Sequence, residues 1–128
     1  MNAALVSDLP QSVVVVEDDA GMSKAIERLL RAAGFQSVSF ASAEELLQTE
    51  AAESAACLVL DIHLPGLSGL ELGRLLITSG RAGPIIFITA QDEALLRDEA
   101  QRLGCAYFRK PFEGKALLEA IRRAIKLD

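Results

Sequence analysis

The 128-residue sequence contains no tryptophan, one tyrosine, one histidine and two cysteines. With a single histidine and no C-x-x-C pair, a zinc site of imidazole and thiolate ligands has no spacing to rest on. Cys57 and Cys105 both fall in apolar runs, the setting of reduced core thiols rather than of a disulfide framework, which fits a reducing cytoplasm. Basic residues are also short. Thirteen Lys and Arg stand against 18 Asp and Glu, a formal charge of −5. That balance argues against nucleic acid as a partner of this segment, since phosphate binding wants a basic face. No apolar stretch approaches the roughly 18 residues of a membrane-crossing helix. Met1 to Gln11 carry neither the basic nor the apolar region of a secretory signal. The expectations are a cytoplasmic chain with no membrane partner. A phosphate-cradling glycine loop is missing too: Asp18-Asp19-Ala20-Gly21 is acidic where such a loop is neutral, which argues against nucleotide binding.

What is present is a core. Hydrophobic residues make up 51% of the chain, enough at this length for one domain that buries most of its surface, and the whole chain, residues 1–128, reads as one. Four short apolar runs each end in polar residues. Val13 to Val16 leads into Glu17-Asp18-Asp19, Cys57 to Leu60 into Asp61, Ile85 to Ile88 into Thr89, and Cys105 to Arg109 into Lys110. Continuous apolar runs of this length read as parallel strands buried on both faces. In open α/β sheets, ligands bind beyond the carboxyl ends of such strands. The acids, the hydroxyl and the amine therefore converge although they are far apart in sequence.

Five strands alternate with five helices, at about Ser12–Glu17, Gln36–Phe40, Cys57–Asp61, Ile85–Thr89 and Cys105–Arg109. The first helix places Met22, Ile26, Leu29, Leu30 and Ala33 on one face and ends at Gly34. Ser42-Ala43-Glu44-Glu45 reads as a capping box opening the second. Ser68 opens the third, with Leu72, Leu75 and Leu76 inward. The fourth, near Asp92–Leu103, has only the thin stripe Leu96, Ala100 and Leu103, and the fifth buries Leu117, Leu118, Ile121 and Ile125. This alternation implies a mostly parallel sheet covered by helices on both sides.

Four motifs, in this order and at these strand ends, resemble the receiver domain of two-component response regulators. They are Val16-Glu17-Asp18-Asp19, the Asp61-Ile62-His63-Leu64-Pro65-Gly66-Leu67-Ser68-Gly69 segment, Thr89-Ala90 and Lys110-Pro111-Phe112. The likeness runs from about residue 12 to 127. It looks most like receivers of nitrogen-fixation and quorum-type transcription regulators. One departure is a Thr89–Lys110 interval a residue tighter than in many relatives, near Gly104-Cys105-Ala106. The resemblance implies a flavodoxin-like (βα)5 three-layer sandwich with strand order 2-1-3-4-5.

It also implies the chemistry. Asp61 would accept a phosphoryl group from a sensor histidine kinase or phosphotransfer protein. Carboxylates act as nucleophiles in aspartyl-phosphate chemistry, and crowded anions there would need Mg²⁺ or Mn²⁺. The expected metal set is Glu17 (through water), Asp18, Asp61 and the His63 backbone carbonyl. Lys110 and Thr89 would hold phosphoryl oxygens. Thr89 and Tyr107 would form a switch that repacks the surface of the fourth helix, fifth strand and fifth helix. His63 and Gln91 would tune hydrolysis. Asp19 caps a helix as readily as it binds metal and is left out of the ligand set, and the Lys110–Pro111 peptide is expected cis. No multi-turnover enzyme is expected beyond self-phosphorylation and autodephosphorylation. The output reads as part of a transcriptional regulator, with a homodimer forming on phosphorylation. A free-standing regulator acting through protein contacts, a small phosphohydrolase using Asp61, and a receiver that only binds partners are the competing readings. Retention of Glu17, Asp18, Asp61, Thr89 and Lys110 places the last of these lowest.

Overall fold

The computed structural model describes residues 11–104 and 106–126. Five parallel strands form one sheet, β1 (Ser12–Val16), β2 (Gln36–Phe40), β3 (Cys57–Asp61), β4 (Ile85–Thr89) and β5 (Ala106–Arg109), in the order β2-β1-β3-β4-β5. The helices are α1 (Ala20–Ala32), α2 (Ala43–Leu47), α3 (Ala51–Ser54), α4 (Gly69–Thr78), α5 (Ala94–Leu103) and α6 (Gly114–Lys126). This is the flavodoxin-like arrangement and the strand order that the receiver resemblance implies.

Strand periodicity sorts the core into two layers, because successive side chains point to opposite faces. Val14, Val16, Leu58, Leu60 and Phe87 pack with Leu46, Leu72 and Leu76 under α2 to α5. Their alternates Val13, Val15, Val59, Ile86 and Ile88 pack with Ile26, Leu30, Leu117 and Ile121 under α1 and α6. Both faces of β1, β3 and β4 are therefore apolar, which is why those runs show no polar alternation. At about 25 cal/mol per Å² of apolar surface removed from water, this two-sided core dominates the stability of the fold.

Helix ends follow local chemistry. Past α1, Gly34 has φ +92°. Its N–H reaches the Arg31 carbonyl and that of Phe35 the Leu30 carbonyl, a Schellman stop. Four expectations are revised. The second helical region is two short helices: Thr49 Oγ1 accepts the Ala51 N–H at 3.2 Å and donates to the Leu46 carbonyl at 2.9 Å, ending one helix and starting the next. Ser42 accepts the Glu45 N–H, but the Glu45 carboxylate takes the N–H of Ala41, so the box there is not reciprocal. The reciprocal box belongs to Ser68 and Glu71 at the start of α4. Leu75 is 43% exposed, because Leu70, Leu72 and Leu76 already fill the inward face of α4. Strand β1 stops at Val16, one residue short of Glu17. The expected start of the fifth strand, Cys105, lies outside the described residues, and β5 is described from Ala106.

Candidate functional site

Each strand delivers its polar residue at its carboxyl end. Glu17 follows β1 and is held by its N–H on the Phe40 carbonyl at 3.0 Å. Asp61 is the last residue of β3 and Thr89 the last of β4. Lys110 follows β5, and its N–H donates to the Thr89 carbonyl at 2.7 Å. The Lys110–Pro111 peptide is cis. The helix-starting end of α4 presses against β3: a Cβ on Gly69 would lie 2.0 Å from the Asp61 carbonyl oxygen. Only glycine lets the helix approach that closely.

The side chains meet as an ion cluster. Lys110 Nζ lies 2.5 Å from Glu17 Oε1 and 3.2 Å from Asp61 Oδ2. Glu17 is 2% exposed and Asp61 3%. Carboxylate oxygens of Glu17, Asp18 and Asp61 all lie within 4.8 Å of one another, with Asp18 exposed. Glu17 Oε2 also accepts the N–H of Asp19, and Asp61 Oδ1 that of His63, each at 3.1 Å. Burial raises the Glu17 pKa above the usual carboxylate range; the Lys110 ammonium offsets part of that and the Asp61 carboxylate adds to it. Burial pushes Lys110 down, but the two carboxylates together outweigh it and hold its pKa above the ordinary value.

The donor set fits a hard divalent cation: three carboxylates, oxygen only, with one of them open to solvent. The ammonium of Lys110 alone faces this charge among the described residues' ion pairs at the site.

Thr89 is fully buried. Its hydroxyl donates to the Gln91 carbonyl at 2.9 Å and accepts the Gln91 N–H at 3.1 Å. It must rotate out of this turn to serve any phosphoryl oxygen. The side chains of His63 and Gln91 are exposed. Asp19 caps α1 by accepting the N–H groups of Gly21 and Met22. Tyr107 stands apart from the ion cluster: its hydroxyl donates to Asp92 Oδ1 at 3.1 Å, and Arg97 Nη1 pairs with both oxygens of that carboxylate at 3.2 and 3.1 Å. Burial, then the Asp92 bond, raise the Tyr107 pKa. Asp92, Arg97 and the close approach of Gly69 went unread in the sequence. A two-residue offset from a motif hydroxyl is visible in a chain; a contact 15 residues away is not.

A family model for the response regulator receiver domain matches residues 13–122. The chain belongs to the response regulator receiver family. Nodulation protein W of Bradyrhizobium diazoefficiens is 40% identical over 117 residues, 91% of this receiver and 52% of that protein. A solved structure of the response regulator StyR superposes with a TM-score of 0.84 at 37% identity, covering 93% of this receiver and 61% of that chain. The crystal structure of FixJ-N gives 0.82 at 30% identity, covering 92% and 95%. The chain spans about half the length of the curated relatives it matches. Receiver domains of response regulators are partners of histidine kinases in two-component systems. No helix among the described residues is long and apolar enough to cross a membrane.

Proposed function

We propose that residues 1–128 form one receiver that takes a phosphoryl group onto Asp61 from a phosphohistidine of a sensor kinase or phosphotransfer protein. The observation that carries this reading is Lys110 Nζ, 2.5 Å from Glu17 and 3.2 Å from Asp61 at the mouth of three gathered carboxylates. A carboxyl oxygen of Asp61 bonds to phosphorus as the phosphorus–nitrogen bond breaks, and the electron pair returns to the donor imidazole. Negative charge spreads over the equatorial oxygens, so the protein's task is positioning and charge balance. Lys110 supplies a compact positive charge to those oxygens. Thr89 donates its hydroxyl once it leaves the Gln91 carbonyl. Glu17, Asp18, Asp61 and the His63 carbonyl would hold Mg²⁺ or Mn²⁺, which supplies charge neutralisation and a template for the incoming group.

The switch follows from the same parts. A phosphoryl group on Asp61 draws Thr89 toward it, and Tyr107 exchanges its Asp92 partner for a more inward position. The surface of α5, β5 and α6 repacks between two pre-existing states. His63, exposed next to the acceptor carboxylate, and Gln91, exposed next to the Thr89 hydroxyl, tune water access and so the phosphate lifetime. The receiver works in the cytoplasm as the input half of a transcriptional regulator and pairs with a second copy when phosphorylated. The regulators in its family, among them the transcriptional regulatory protein FixJ at 35% identity, support that output.

Intact mass after incubation with a small phosphodonor and Mg²⁺ tests the proposal. One added phosphoryl group per chain is expected, absent in Asp61→Asn and absent with chelator. Modification of Asp61→Asn, or steady phosphate release from general phosphomonoesters, overturns it.

A further inference from the structure

The segment from Ile62 to Ser68 joins the acceptor strand to α4, and most of its anchors are local. The His63 N–H donates to Asp61, that of Ser68 to Glu71 at 3.1 Å, and that of Gly69 to the Ile62 carbonyl at 3.0 Å. Two anchors come from elsewhere. The Ile62 N–H continues the sheet by donating to the Ile88 carbonyl at 2.9 Å. The Leu67 N–H donates to Glu44 Oε2 at 2.8 Å, across 23 residues of sequence, from a side chain in the first turn of α2. Gly66 makes room for it. Its φ is +75°, and a Cβ there would lie 2.5 Å from the same Glu44 oxygen. Glycine at 66 thus serves both the turn and the approach of the carboxylate.

We propose that Glu44 is a positioning residue that clamps the 62–68 loop and thereby sets the divalent-ion affinity of the acidic site. The inference rests on the phosphoacceptor reading above, in which the His63 carbonyl in this loop is one of the ion's ligands. Glu44 is well placed to act as a fixed post. Its neighbours Ala43 and Leu46 are fully buried, so α2 does not move freely beneath it. The loop's average position is already held by Leu64, which is buried, and by Leu67, which packs on the same core. What the apolar contacts leave loose is the peptide plane, and a charge-assisted bond to a backbone N–H fixes that. The bond is exposed, so water replaces it at little cost to global stability. Loss of the clamp therefore shows in the site rather than in the melting point.

Mn²⁺ titration followed by the paramagnetic resonance of the free ion separates the outcomes, on the full chain and two variants. The unsubstituted receiver binds one Mn²⁺. Glu44→Ala binds about tenfold more weakly, the low end for removing a partner that orients a metal site. Glu44→Gln returns to within about twofold, because an amide oxygen accepts the same N–H. Both variants melt within roughly 2 °C of the parent, less than the shift from ~1 kcal/mol in a domain of this size. Unchanged affinity in Glu44→Ala overturns the clamp. So does Glu44→Gln binding as weakly as Glu44→Ala, which would make the effect one of charge. If the unsubstituted receiver binds no Mn²⁺, the phosphoacceptor reading itself fails; if it binds and Glu44→Ala binds equally, only the clamp falls.

Discussion

Glu17 is a buried carboxyl with its pKa raised above 4.5, so the folded state holds its proton more tightly than the unfolded chain does. That contribution to stability is full below pH 4.5 and is lost as pH rises through the folded value. At neutral pH without divalent ion the charge is a liability, as functional sites commonly are. Glu17→Gln should then melt about 3 °C higher than the parent at pH 7, a gap that narrows at pH 4, by scanning calorimetry. Lys110 runs the other way in chemistry and the same way in sign. Its pKa is raised above 10.5, so its contribution is full below that pH and lost above it. The parent's melting point should fall more steeply above pH 10.5 than that of Lys110→Gln. Gly69→Ala is a packing matter: a methyl 2.0 Å from the Asp61 carbonyl forces the helix off the strand. We expect a loss of about 3 kcal/mol in urea unfolding, the upper end for overpacking. Glu17, Asp61 and Lys110 were legible in the sequence because each ends an apolar run. Gly69 was not, since what it must avoid is a carbonyl oxygen that no pattern of side chains reveals.

Among the helices of ten residues or more, α5 is the least buried. Ala100 is its single buried residue, whereas α4 buries five. Its N-cap, Glu93, makes no side-chain cap bond, unlike Asp19 on α1 or Ser68 on α4. Few buried contacts and an open end mean low local stability. Amides of α5 should exchange with solvent faster than those of α1, α4 and α6, read by mass spectrometry. Glu93→Asp supplies a capping oxygen and should slow that exchange, with a gain of about 1 kcal/mol at most. Tyr107→Phe removes the bond to Asp92 and should speed it. The thin stripe of Leu96, Ala100 and Leu103 was readable by its spacing, and Ala100 alone of the three is fully buried. The break between α2 and α3 was not, because Thr49 makes it with a hydroxyl where a reader looks for glycine or proline.

At the scale of the whole molecule, an ion that binds only the folded chain stabilises all of it. If the acidic site holds Mg²⁺ as proposed, a hundred times its dissociation constant should add about 2.7 kcal/mol, and the melting point should climb with its logarithm. Asp61→Asn should flatten that climb. The layer order was legible because Val13 to Val16, Cys57 to Leu60 and Ile85 to Ile88 are apolar without alternation, which only a sheet covered on both sides explains. The strand order came from resemblance; periodicity alone does not choose among parallel permutations.

Lys110 lies 93 residues beyond Glu17 and 49 beyond Asp61, so the positive charge of the cluster comes just after the last strand of the sheet. A chain emerging from the ribosome exposes both acids long before it exposes their counter-charge. The buried ion cluster therefore forms only as the last strand joins the sheet. A copy truncated before residue 110 lacks the counter-charge of its own acidic pair.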